Sequence, residues 1–267
     1  MAESLIDFIK HKSYNTIIMH ERLHDIRDPF ERIVQETLSA KEYEPHSFDV
    51  YPLVGRSSTG KSTIQGILQD WLSIRDGYDV ALSSAGDTIR QHQRETTGKQ
   101  ERGHYQRQIG VDQKLDLENA KMIINQENAG KILIPEGKLL GFLTMKITLA
   151  AEKLQLPLPC NIHPILLVAD DKIRYAREYE KLHTNNPIID TTRALSIIQN
   201  KEHGEDRTFS TIYPELHMKD IYTSDFTYPN GEKIYQLEIP TSSHSAAFSA
   251  RKIYDYIHNT TVTQPTP

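Results

Sequence analysis

The stretch Asp49–Leu68, DVYPLVGRSSTGKSTIQGIL, constrains this chain more than any other. It contains a Gly-x-x-x-x-Gly-Lys-Ser element, Gly55-Arg56-Ser57-Ser58-Thr59-Gly60-Lys61-Ser62. The apolar run Val50–Val54 comes directly before it, and a helix-competent segment from Lys61 to Trp71 directly after. That order of strand, glycine loop and helix separates a phosphate loop from a chance match. With glycine at about 7% of residues, the bare pattern arises in roughly one chain of this length in a hundred, so its context makes a Gly/Ser turn capping an ordinary helix the weaker reading. Gly55 and Gly60 let the backbone turn tightly and bring N–H groups against phosphate oxygens, while the helix N-terminus aims its partial positive charge at the same spot. Lys61 then reaches the outer phosphates of a nucleoside triphosphate, and the Ser62 hydroxyl can hold Mg²⁺. Pro52 removes one ladder donor from a strand expected to be central.

A chain of 267 residues is long enough for one large α/β domain or two small ones. The balance of 31 basic against 36 acidic residues gives −5, which disfavours nucleic acid as a bulk partner while allowing a local cationic site for a nucleotide. A single cysteine, Cys160, excludes an internal disulfide framework and fits a reducing compartment; it reads as a small semi-buried residue, with no partner for a nucleophile visible. The opening MAESLIDFIKHK lacks the apolar core of a signal peptide, and no run of about 18 apolar residues occurs. The expectation is a cytoplasmic protein without membrane association, monomeric or homodimeric.

Before the loop, Leu5, Phe8 and Ile9, and then Ile26, Phe30, Ile33 and Val34, recur at helical spacing. They predict amphipathic helices over residues 1–46 whose apolar faces need a cover, either the main domain or a second copy. His20 and His24 sit four apart, but without a third ligand they read as surface or packing histidines. Asp79–Leu82 predicts a second strand, followed by Ser83-Ser84-Ala85-Gly86-Asp87-Thr88-Ile89-Arg90, a small-residue turn entering a helix. Such a turn presents hydroxyls, N–H groups and one guanidinium to a second anion. Residues 88–128 read as mostly helical and polar, with Arg94, Lys99, Arg102 and Arg107 on solvated faces. Lys131–Pro135 and Ile165–Ala169 are buried strands, the first ending in Glu136-Gly137-Lys138, where ligands of open α/β sheets bind. Lys233–Ile239 is a last strand, with a helix near 244–258 and a disordered tail over 259–267. Five strands alternating with helices predict an α/β fold, a P-loop NTPase three-layer sandwich with a five-stranded parallel sheet.

Taken in order, GRSSTGKST, SSAGDTIR, VDQKLD, ILIPEGKLLGF, LLVADDKIRYARE and YQLEIPTSS resemble nucleoside monophosphate kinases, and within them the compact archaeal-type cytidylate kinase group. The likeness covers about residues 48–258 and is strongest at the phosphate loop. SAGDTIR is also similar to the Ser-Thr-Gly-Asp-x-x-Arg element of adenylate kinases, which leaves the acceptor base open. The resemblance implies a kinase domain over 47–258 with a lid at about 178–212, and γ-phosphoryl transfer from ATP to a small-molecule acceptor, a CMP- or dCMP-like nucleotide, with Mg²⁺. It implies that Gly55, Arg56, Ser57, Ser58, Thr59, Gly60, Lys61, Ser62 and Thr63 hold the donor phosphates, with Ser62 on the metal. Ser84, Gly86 and Arg90 would hold the acceptor phosphate, and Asp112 matches an acidic position that contacts the acceptor nucleoside. Lys138 falls where the family usually has arginine. Arg174 or Arg177 begins the lid, and Arg207 matches an arginine that closes over the transferred group. These side chains, with Lys61, Arg90 and Lys138, form the expected catalytic set.

Two other readings stay open. One is a phosphotransferase with a different acceptor, such as a nucleoside, a polynucleotide end or a small metabolite. The other is an ATP-binding regulatory module with little turnover, favoured by Lys138 and by the poor fit of NKEHGEDRTF to the family's lid spacing.

Overall fold

Short runs of branched and leucine side chains alternate with amphipathic helices along this sequence, and in the computed structural model every such run joins one parallel sheet. The structure describes residues 28–39, 42–88, 91, 95, 109–185 and 187–261. The predicted helix with Leu5, Phe8 and Ile9 lies outside these, as do Ile26, His20, His24, Arg90, Arg94, Lys99, Arg102, Arg107 and the end of the tail.

The strands are β1 (Phe48–Val50), β2 (Leu53–Val54), β3 (Val80–Ser84), β4 (Ile132–Gly137), β5 (Cys160–Ile162), β6 (Ile165–Val168) and β7 (Leu237–Pro240). Seven strands stand where the sequence predicts five, and proline is the reason. Pro52 divides β1 from β2 and Pro164 divides β5 from β6, because a residue without an N–H interrupts the ladder. The line of each strand nevertheless continues across its break. Asp49 lies beside Ile132 and Leu53 beside Glu136, so the register is kept. Tyr51 N–H donates to Leu133 O at 2.8 Å, and Ile165 N–H to Pro52 O at 2.9 Å, across the two gaps. The lines run in the order β3, β4, β1 with β2, β5 with β6, then β7, all parallel. Residues 233–236, predicted as strand, instead form the approach to β7, with Ile234 and Tyr235 buried.

The helices are α1 (Pro29–Leu38), α2 (Lys61–Gln69), α3 (Ile109–Ile123), α4 (Leu140–Leu154), α5 (Asp171–Asn185), α6 (Thr191–Ile212) and α7 (Ala246–Thr260). Side chains alternate across a strand, so β4 feeds both faces of the sheet. Leu133 packs with Val54, Phe142 and Ile147 in one core, while Ile132 and Ile134 pack with Ile64, Leu68 and Ile253 in the other. Helices α1, α3 and α4 cover the first face and α2 and α7 the second, giving three layers.

Helix α1, within the described part of the leading segment, packs on the main domain. Asp28 caps it, accepting from Phe30 N–H at 2.8 Å and Glu31 N–H at 3.3 Å, with Pro29 in its first turn. Phe30, Val34 and Leu38 recur every fourth residue and are buried against α4 and α3. The Phe30 ring sits 6.2 Å from Tyr213, whose ring lies tilted at 4.9 Å from Phe142. Burying one such aromatic side chain stabilises the fold by about 2–3 kcal/mol. No helix among the described residues is long and apolar enough to cross a membrane.

Candidate active site

The loop Gly55–Gly60 leaves the carboxyl end of β2 and enters α2, the position in which a phosphate loop works. Gly55 has no space for a side chain: a Cβ there would meet Leu167 O at 2.5 Å and Thr59 Oγ1 at 2.9 Å. Gly60 is left-handed at φ 94° and forms the N-cap of α2, where no side chain caps the first-turn N–H groups. Thr59 Oγ1 donates to Arg56 O at 3.0 Å, and Lys61 Nζ donates to Gly55 O at 2.8 Å and Arg56 O at 2.9 Å, so the lysine lies along the loop's inner edge. Burial lowers the Lys61 ammonium to about 8, partly offset by the charge of Glu136.

Glu136, at the end of β4, organises the floor. Its Oε1 accepts from Ser62 Oγ at 2.7 Å and from Ser84 Oγ at 2.8 Å, joining the α2 start to the end of β3. Gln65, one turn inside α2, donates to Ser83 O at 2.9 Å and Ile134 O at 2.6 Å and so pins the helix to both strands. Thr63 is exposed at the helix start.

Of the expected acceptor residues, Ser84 meets this floor directly, and Gly86 lies on the helical turn Ala85–Thr88 that follows β3. Arg90 is outside the described residues. Lys138, just past β4, is paired with Glu205 of α6. Asp112 is buried on α3 near Tyr213, whose phenol is pushed up by burial and by the neighbouring carboxylates of Asp116 and Asp112.

The segment expected as a lid, about 178–212, falls on a helical pair, α5 and α6, that packs beside the loop. Arg174 Nη1 donates to Ser57 O at 3.3 Å and Arg177 Nη1 to Ser58 O at 3.2 Å, so both reach the loop. Arg177 also donates to Thr241 O at 2.7 Å. Arg174 is fully buried between Glu202 at 2.5 Å and Asp171 at 2.6 Å; burial opposes its charge, and the two carboxylates more than offset that. Arg207 departs from its expected place. The α6 face carrying Glu202, Glu205 and Phe209 is buried, and Arg207 falls on the exposed side of the helix. Residues five apart on a helix cannot share a face, so the register that buries Glu202 turns Arg207 to solvent.

Glu178 of α5 also accepts from the Ser58 hydroxyl, so four carboxylates, Glu136, Glu178, Glu202 and Glu205, meet the loop and the cations around it, and none of them was expected to have a role. For Glu136 a signal existed, an acid closing a central apolar strand. The others are scattered through charged helices with nothing local to mark them.

The loop, its helix and the crossed parallel sheet settle the architecture. This is a three-layer α/β sandwich with a parallel sheet and a glycine loop between β2 and α2. No family profile matches the chain, and no curated protein does. Among solved structures, the chain is similar to a protein from Chloroflexus aurantiacus J-10-fl assigned provisionally as a kinase, at 15% identity and a TM-score of 0.47, over 80% of this chain and 98% of that one. It is also similar to the Mycobacterium tuberculosis APS kinase CysC, in complex with AMPPNP and APS, at 9% identity and a TM-score of 0.42, over 80% of this chain and 99% of that one.

Proposed function

We propose that this chain transfers the γ-phosphoryl group of ATP to a nucleoside monophosphate, a CMP- or dCMP-like acceptor being the one its sequence resemblance favours, in a cytoplasmic setting. The observation that carries the reading is the convergence of Lys61, Ser62, Ser84 and Glu136 at the mouth of an open helix N-terminus. Phosphoryl transfer asks a protein mainly to align two anions and neutralise charge on the equatorial oxygens, so no general base is required. The free N–H groups at the start of α2 face the donor phosphates, and Lys61 turns from the loop carbonyls to the outer phosphate. Arg174 and Arg177 approach from α5 on the lid side and exclude water over the reacting groups. A Ser hydroxyl beside a carboxylate suits Mg²⁺, which keeps several waters and binds through one carboxylate and the phosphates; Ser62 and Glu136 would hold it, and it would neutralise the β- and γ-oxygens.

A second reading is favoured by one feature. Lys138 and Arg174 are engaged by Glu205 and Glu202, which fits an ATP-binding regulatory module with little turnover. Release of ADP from ATP and Mg²⁺, measured against a panel of monophosphates and nucleosides, separates the cases. Stimulation by a pyrimidine monophosphate is the expected result; stimulation only by a nucleoside moves the acceptor class. ATP binding without stimulated turnover favours the regulatory module.

A further inference from the structure

Ser58 has φ 60°, left-handed backbone in the middle of the phosphate loop. For a residue with a side chain that conformation is unfavourable, and it persists only where surrounding contacts impose it. Here they come from one helix. The Ser58 hydroxyl donates to Glu178 Oε2 at 2.5 Å, Lys181 Nζ donates to Ser58 Oγ at 3.2 Å, and Arg177 holds the Ser58 carbonyl. Glu178 is itself fixed from α6 by Lys201 at 3.4 Å. Burial raises its carboxyl, but Lys201, the Ser58 hydroxyl and Lys181 outweigh burial and hold it below the ordinary carboxylate range, so it is ionised at neutral pH.

We propose that Glu178 is a positioning residue for the phosphate loop: from α5 it locks Ser58 in the left-handed turn that aims the loop's N–H groups at the donor phosphates. The inference rests on the phosphotransfer reading above. Lys201 on α6 pairs with Glu178 on α5, so both helices support the clamp on Ser58. Without Glu178 the Ser58 backbone relaxes to an ordinary conformation and the loop's amides turn away.

A glycine at this position adopts left-handed backbone without a clamp, which gives the test its discrimination. Binding of a non-hydrolysable ATP analogue with Mg²⁺ is measured by calorimetry for wild type, Glu178→Ala, Glu178→Gln and the double variant Glu178→Ala with Ser58→Gly. Circular dichroism confirms that each is folded. Glu178→Ala weakens binding about tenfold or more, the loss one charge-assisted hydrogen bond carries, and Glu178→Gln, which keeps an acceptor oxygen, loses less. The double variant regains most of the affinity, which a purely packing role for Glu178 does not allow. Unchanged binding in Glu178→Ala, or a loss that Ser58→Gly leaves in place, overturns this inference alone. A wild-type chain that binds no triphosphate overturns the phosphotransfer reading and this inference with it.

Discussion

The Ser62 hydroxyl donates to Glu136 Oε1 across 2.7 Å, tying the first turn of α2 to the carboxyl end of β4. The same oxygen accepts from Ser84, so one carboxylate joins the end of the glycine loop to the end of β3. Replacing Glu136 with alanine is expected to lower kcat about a hundredfold or more, with a smaller change in KM, because the carboxylate proposed to hold Mg²⁺ with Ser62 beside the transferring group is removed. Glu136→Gln keeps an acceptor for both hydroxyls and loses less. Steady-state kinetics with ATP, Mg²⁺ and CMP check this; a Glu136→Ala enzyme within twofold of wild type places the acid outside the reaction.

Triphosphate affinity is expected to depend on pH through Lys61. Burial has lowered its ammonium to about 8, so the lysine is charged below that value and loses its proton above it. A bound triphosphate favours the charged form and raises the value again, so binding near pH 8 takes up a proton and affinity falls as pH rises. Calorimetry in two buffers of different ionisation enthalpy measures that uptake directly. Affinity that stays flat from about pH 7 to about pH 9, with no proton uptake, contradicts it.

Gly55→Ala places a methyl 2.5 Å from Leu167 O, a backbone atom in the central sheet that cannot yield. The expected cost is about 2 kcal/mol or more of stability, together with lost triphosphate binding. Gly66→Ala is the contrast. A Cβ there meets nothing within 4 Å and the residue lies inside α2, so alanine stabilises by about 0.5–1 kcal/mol. Urea unfolding of both variants resolves the sign of each effect.

Helix α1 belongs to the same core as the sheet, so Phe30→Ala is expected to cost about 3–5 kcal/mol of global stability. Asp28→Ala, which removes the cap and a partly exposed ion pair with Lys146 at 3.6 Å, costs about 1 kcal/mol. A cooperative unfolding transition that moves with Phe30→Ala confirms that the helix folds with the domain. Loss of α1 signal in a separate, earlier transition indicates an appended element.

Much of the fold was legible because its signals are local. The helical spacing of Phe30, Ile33 and Val34 marks α1, and Val80, Ile132 and Ile165 each open or sit in short apolar runs between polar helices. Cys160–Ile162 escaped notice because three residues between prolines carry too little pattern to read as a strand, and only pairing with Phe48 and Val50 makes it one. The lid was legible as helix but not as a face. Choosing between Glu202 and Arg207 as the inward residue requires knowing how α6 is rotated against α5, and buried contacts at Ala194, Ile198 and Phe209 fix that rotation.

The sequence by itself determined the phosphate loop, its two indispensable glycines and the alternation of strand and helix, because each depends on residues a few positions apart. Only the tertiary structure decided which carboxylates surround that loop. Ser62 and Glu136 are 74 residues apart, and Ser58 and Glu178 are 120 apart. Such pairs exist only once parallel strands have taken their register and the helices between them have packed, and no local pattern in the chain encodes either event.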